Sequence, residues 1–450
     1  MSVQKDKQLF SGDDLKKMIL PLFMEQLLVI LVGMADTLII SYAGEAAVSG
    51  VSLVNQFNTI FIYLFTALAS GGAVVISQYI GNKDSENAGK ATSQLLMFSV
   101  VFSLIIALLV LLGDKMMLRL LFGRVEADVM SACVTYLRIS ALSYPMLAIY
   151  NAGASLYRSL GKTTVTMYIS ILSNLVNIVG NCIGVFLLHA GVAGVAWPSF
   201  IARTCSAVII TILCYRKTQE IRYENQYVFS FDGSMLKRVL GIAIPNGVEN
   251  GVFQLVKVAL SSIVAMFGTY QIAANGVAQS IWSLAALSGV AMGPVFITVI
   301  GQCMGNSDTE YAEYYFRKLI RITLLISAAW NLLIFLATPL FLKMYALEPG
   351  TKKLVLELVI LHNIFNSVAF PFAGALGNGL RAAGDIRFTM LASLFTTVCV
   401  RLVFSWIFAY GLGLGVMGIA WAMCMDWTAR GVLQYMRMRS GRWKEFKVIG

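Results

Sequence analysis

Twelve apolar runs of about 20 residues, parted by short charged islands, leave this 450-residue chain few ways to fold. A bilayer's hydrocarbon core is about 30 Å thick, and a helix rising about 1.5 Å per residue needs about 20 residues to cross it. Inside lipid every backbone N–H and C=O must be bonded within the protein, so each run is expected to be a helix. The runs fall near 18–41, 47–76, 92–112, 130–152, 164–188, 193–215, 239–266, 271–300, 318–341, 354–378, 388–411 and 416–436. Charged residues make up 13% of the chain, about half of the roughly 25% of a soluble protein. The expected fold class is an all-α polytopic membrane protein whose solvent is the lipid bilayer.

The basic residues set the orientation. Islands on one side carry 23 Lys and Arg, among them Lys5, Lys7, Lys16, Lys83, Arg158, Lys162, Arg238, Arg317, Arg381 and Arg437. Those on the other carry 6: Lys115, Arg119, Arg124, Lys343, Lys352 and Lys353. Positive loops stay cytoplasmic, so both termini are expected in the cytoplasm and the helix count is even. The same bias accounts for the net charge of +11, and with no basic stripe between exposed aromatics nucleic acid is not an expected partner. Residues 1–17 are polar and lack a small-residue cleavage site after a short apolar core. The first helix is therefore expected to act as its own signal anchor. Seven scattered cysteines with no C-x-x-C spacing read as small buried residues rather than a disulfide framework.

The chain repeats itself. Pro21-x-x-x-Glu25 returns as Pro245-x-x-x-Glu249, and Gln78-x-x-Gly81-Asn82-x-Asp84-x-Glu86 as Gln302-x-x-Gly305-Asn306-x-Asp308-x-Glu310. Gly194-x-Ala196-Trp197 returns as Gly418-x-Ala420-Trp421, again 224 positions on. Tyr144-Pro145 and Phe370-Pro371 match at 226, and Arg158-x-x-Gly161 and Arg381-x-x-Gly384 at 223. Six helices per half is an even number, so both halves point the same way. This predicts two pseudo-twofold-related six-helix bundles around a central cavity. The polar stretch 216–236 is the expected linker, dividing an N-terminal lobe, 1–222, from a C-terminal lobe, 223–450.

Ionisable residues within membrane helices are functional candidates, since each costs about 2.5–3.5 kcal/mol to insert. Asp36 is the sharpest. Glu25 lies eleven residues earlier on nearly the same face, about 16 Å away along the axis, and reads either as part of that stripe or as a solvated charge near the cytoplasmic end. On the fifth helix Ser170, Asn174, Asn177 and Asn181 share one face. With Asp36 they suit a small site for Na⁺ or a proton, or else serve as polar glue between helices. In the second half Glu249 and Lys257 share the seventh helix, where Glu249 is the nearest acid for Lys257. Asn275, Gln279 and Ser283 line the eighth, and Arg401 lies on the eleventh. Asp426 and Arg430 are an i, i+4 pair expected to form an internal salt bridge. His362 reads as a packed polar residue.

Gly413-x-Gly415-x-x-Gly418 fits the dinucleotide pattern, yet it joins two apolar helices with no strand before it, and reads as a tight turn. No Walker A, H-E-x-x-H or G-x-S-x-G run occurs, so the chain is not expected to be an enzyme and no organic cofactor is implied.

Pro21-Leu-Phe-Met-Glu25-Gln26 with Gly33-Met-Ala-Asp36-Thr37, Gln78-Tyr-Ile-Gly81-Asn82-Lys-Asp84, Arg158-Ser-Leu-Gly161-Lys162, Asn177-x-x-x-Asn181 and Gly194-Val-Ala-Trp197 resemble the multidrug and toxic compound extrusion (MATE) family over essentially the whole chain. The resemblance implies antiport of H⁺ or Na⁺ against amphipathic, usually cationic, organic compounds by a monomer in the plasma (bacterial inner) membrane. It implies a cation site of Asp36, Asn177, Asn181 and Ser199, with Na⁺ as the one metal ion in view. Asn181 stands where many members have an aspartate, and Ser199 where a threonine is usual. The site is thereby one negative charge lighter, which tilts the expectation towards protons. Glu25, Asn174, Glu249, Lys257, Asn275 and Gln279 are weaker candidates for cation or substrate. The rival on the same architecture is a flippase for lipid-linked or amphiphilic precursors, which would want a strongly basic cavity where this interior offers scattered Arg203, Lys257 and Arg401.

Overall fold

In a computed structural model, which describes residues 9–123, 125–345 and 347–449, the apolar runs are helices and no strand occurs among the described residues. Lys5, Lys7 and Arg124 of the orientation argument lie outside the described residues. Among the described residues nine helices are long and apolar enough to cross a bilayer as they stand, and two bent pairs bring the number to eleven. The twelfth, Val416–Ser440, holds Asp426 and Arg430 inside its length, so hydropathy alone does not mark it. The protein is an all-α membrane protein of twelve spans.

The chain divides into two compact units, Lys16–Gly247 and Val248–Gly450, the latter joined by the N-terminal stretch up to Leu15. Phe10 is buried there, its N–H donating to the Tyr315 hydroxyl at 2.8 Å. The spans of the first half are Gly12–Ser41, whose opening turn to Leu15 belongs to the other unit, Glu45–Gly81, Ser85–Phe122, the pair Ala127–Leu142 and Tyr144–Ser159, then Thr163–Cys182 running into Ile183–Leu187, and Ala193–Cys214. The spans of the second half follow the same order: Gly233–Val264, whose part up to Gly247 belongs to the first unit, Thr269–Ala285 with Leu287–Gly305, Thr309–Met344, the pair Pro349–Val368 and Phe370–Ala382, Ile386–Gly411, and Val416–Ser440.

The repeated motifs have local causes. Gln78-x-x-Gly81-Asn82-x-Asp84 ends one span and caps the next. The Asn82 N–H donates back to Gln78 O at 2.9 Å, and the Asp84 carboxylate accepts from the Asn87 N–H at 3.0 Å. Asp308 accepts from the Tyr311 N–H at the same distance. Such a cap satisfies N–H groups that the first helical turn cannot. Lys83 and Ser307, between the two helices, take positive φ of 57° and 56°. The fourth and tenth spans are bent, by 42° and 57°, where the expectation was one straight run. Pro145 and Pro371 begin their second segments and remove the N–H that would have continued the ladder.

Within the first unit the fifth and sixth spans meet glycine on glycine. A Cβ on Gly184 would lie 2.1 Å from the Gly194 carbonyl oxygen, a backbone atom that cannot swing aside. Gly184→Ala is therefore expected to destabilise the protein by roughly 1–3 kcal/mol, the range for overpacking. Gly251→Ala, with nothing within 4 Å of the new methyl, should stay within about 0.5 kcal/mol of the parent. Thermal unfolding of both in one detergent compares them, and equal midpoints would contradict the account. Gly413 and Gly415, of the dinucleotide-like string, have φ of 67° and 56° and form the turn into the last span.

The stretch 216–236 is fastened to the third span. Gln94 Nε2 donates to the carbonyls of Tyr227 and Ser230 at 2.5 and 2.6 Å, and its Oε1 accepts from the Asp232 N–H at 3.0 Å. The Lys90 ammonium, 2.5 Å from Asp232, holds that carboxyl well below the usual carboxylate range, with help from the Met235 N–H.

Candidate coupling-ion site in the first half

Three spans of the first unit converge on Asp36. Asn177 and Asn181, one turn apart on the fifth span, are both buried, and the sixth span places Ser199 beside them. Ser199 Oγ donates to Val195 O at 3.1 Å, and Asn177 Nδ2 donates to Ser199 Oγ at 2.9 Å. Asn181 Nδ2 donates to Asn177 Oδ1 at 2.8 Å and to Asp36 Oδ1 at 2.6 Å. Asn181 Oδ1 is buried with no hydrogen-bond partner among the described residues. The result is a carboxylate with an unclaimed amide oxygen close by. That oxygen-only pairing can take a proton or one small monovalent cation. No group of three or more His, Cys, Asp or Glu side chains clusters as metal ligands among the described residues.

Sequence reasoning missed two neighbours here. Arg203, one turn beyond Ser199, donates to Ser143 Oγ at 2.6 Å and lies within electrostatic range of Asp36, and Tyr136 is within range of both. Their positive and aromatic character was legible, but nothing in their spacing tied them to the first span. Asn174, on the same stripe as Asn177, stays out of the bonded chain, and its buried Nδ2 has no partner among the described residues.

Glu25 is not a solvated charge. It is 4% exposed, and its Oε1 accepts from Arg158 Nη2 at 2.6 Å. Its Oε2 accepts from Thr166 Oγ1 at 3.0 Å. Glu249 likewise accepts from Arg381 Nη2 at 2.5 Å. Glu249 therefore does not serve Lys257, which is exposed: eight positions along one helix is too far for an ion pair, while the Arg-x-x-Gly turn of the tenth span delivers a guanidinium beside the carboxylate. The repeat carried the signal. Pro-x-x-x-Glu and Arg-x-x-Gly recur together in both halves, and in each half the acid of one meets the base of the other. Asn275 and Gln279, half-buried on the eighth span, do not converge with an acid among the described residues.

The family model MatE matches residues 21–183 and again 245–407, one block in each half. The chain belongs to the MatE family. Among this MATE protein's relatives is the uncharacterized transporter YisQ of Bacillus subtilis, 27% identical over 430 residues that cover 94% of this chain and 93% of YisQ. Another is a probable multidrug resistance protein NorM of Thermotoga maritima, 23% identical over 97% of this chain and 94% of NorM. A MATE crystal structure in complex with MaL6 superposes with a TM-score of 0.90 at 19% identity, covering 96% and 97% of the two chains. The MATE chain is thus a multi-pass membrane transporter of the multidrug-efflux class.

Proposed function

We propose that this transporter exports amphipathic organic cations in exchange for protons, with Asp36 carrying the proton. The observation behind this reading is the Asn181 Nδ2 bond to Asp36 Oδ1, at 2.6 Å. An amide that donates to the carboxylate occupies the place of a second anionic oxygen, so the site offers one negative charge, within range of the Arg203 guanidinium. Two further oxygens, Asn177 Oδ1 and Ser199 Oγ, already accept hydrogen bonds. A metal cation would need several free oxygens and would add charge beside Arg203; a proton needs one oxygen and leaves the carboxyl neutral.

In the proposed cycle, protonation of Asp36 from outside removes a buried charge and frees Asn181 to reorient, favouring release of the organic cation. Loss of the proton to the cytoplasm restores the anion. Coupling then arises because proton and drug stabilise different conformations. The reading places the protein in the plasma membrane as a monomer with both termini in the cytoplasm, and assigns it no enzymatic step. The six-helix halves 1–222 and 223–450 are its proposed moving parts. The names of its relatives, which include a probable multidrug resistance protein, support organic compounds as cargo.

Purified protein in liposomes provides the test, with ethidium as the probe. A pH gradient is expected to drive ethidium movement, and a Na⁺ gradient at equal pH to leave it at the protein-free rate. Movement driven by Na⁺ alone would overturn the proton assignment. No movement under either gradient would overturn the export reading.

A further inference from the structure

The second half buries a charge that it does not balance. Asp426, fully buried on the last span, has both oxygens engaged by Arg430 Nη2 at 2.8 and 3.0 Å. Arg430 is completed by the hydroxyls of Thr396 and Thr397, at 3.1 and 2.7 Å. Arg401, 4% exposed on the eleventh span, approaches the same carboxylate only at 3.3 Å, and neither its Nε nor its Nη2 makes a hydrogen bond among the described residues. Its guanidinium lies over the Phe253 ring at 5.0 Å. Two arginines on one aspartate leave one positive charge. Glu249, one turn before Phe253, is already paired with Arg381, and Lys257, one turn after it, is exposed. A buried charge left without a counter-charge is strongly destabilising.

Further donors nearby have no hydrogen-bond partner among the described residues. Ser405, one turn beyond Arg401, is fully buried and its Oγ is unbonded. His362, within electrostatic range of Arg401, is buried with both ring nitrogens unbonded. The repeat sharpens the contrast with the first half. At 224 positions after Asp36, Asn177 and Asn181 stand Leu260, Arg401 and Ser405. The carboxylate is replaced by leucine, and one asparagine by a guanidinium.

We infer that the second half binds a small monovalent inorganic anion, of the halide type, against Arg401 and Ser405. The depth of both residues excludes an organic headgroup, and the residual charge of one sets the valence.

The test is independent of transport: binding of radiolabelled chloride to the full-length purified protein in nanodiscs. Wild type is expected to bind chloride saturably, with competition by bromide and not by gluconate. Arg401→Gln should weaken that binding at least tenfold, while Arg401→Lys, which keeps the charge, should retain most of it. Asp426→Asn should tighten it, because the site gains net positive charge; a residue that merely held the fold together would weaken binding in every variant. Absence of saturable binding by wild type, or undiminished binding by Arg401→Gln, overturns the inference.

Discussion

Asp36→Asn is expected to lower proton-driven ethidium efflux at least about tenfold, equivalent to about 1.4 kcal/mol or more on the coupled step, while leaving the protein folded. The substitution keeps the shape of the side chain, and its amide can still face Asn181 through its own oxygen. What it removes is the ability to exist as anion and acid in turn. Downhill exchange of labelled ethidium across vesicles with no ion gradient should therefore survive, separating a lost coupling group from a lost binding site. A companion change sharpens the reading. Asn181→Asp replaces the amide that donates to Asp36 at 2.6 Å with a second carboxylate, and should make transport responsive to Na⁺. Should Asp36→Asn retain wild-type efflux, the coupling group lies elsewhere, and Glu25 and Glu249 become the carboxylates to exchange next.

The second large effect concerns Glu25 and Arg158. Arg158→Gln leaves the Glu25 carboxylate, 6% exposed in its side chain, without its guanidinium, and is expected to cost about 3–5 kcal/mol, the range for breaking a buried pair from one side. Removing both charges with Glu25→Gln and Arg158→Gln should cost less than the sum of the single changes. Detergent-solubilised variants compared by thermal unfolding give the cycle directly. Strict additivity would mean that the 2.6 Å contact carries no net coupling. Glu249 and Arg381, paired at 2.5 Å with side chains 14% and 11% exposed, should behave alike.

Much of this molecule was legible in its sequence because lipid imposes one demand on every segment. The apolar runs located the spans, and the internal repeat located the equivalent positions. The four residues Asp36, Asn177, Asn181 and Ser199 were within reach of residue spacing and family resemblance together. What escaped was partnership between helices. Arg158 and Glu25 lie in different polar islands, and only their joint recurrence hinted that they meet. Lys257 drew attention to Glu249 because the two share a helix, yet helical phase says nothing about what a neighbouring helix brings. Arg203 was one scattered base among several until the packing of the sixth span set it near Asp36. The bends at Pro145 and Pro371 were hidden because hydropathy is indifferent to the direction of a helix axis.

The wide helical turns in the fifth and eleventh spans record an order of events. Ile183–Leu187 and Ile407–Gly411 are both π-helical and stand 224 positions apart. A π turn holds one residue more than an α turn, as if a single codon had been inserted into a finished helix. Matching insertions at matching places point to one ancestral event, before the half-length gene was doubled. Thr396–Leu402 is a further π segment, and the first half is α-helical over the corresponding stretch. The offset between the halves steps from 223 at Gly161 and Gly384 to 224 at Ile183 and Ile407, so the second half holds one residue more than the first inside this interval. Arg401 sits in that segment. Its guanidinium and the extra residue share one stretch of the second half, where the first half keeps an unbroken α-helix.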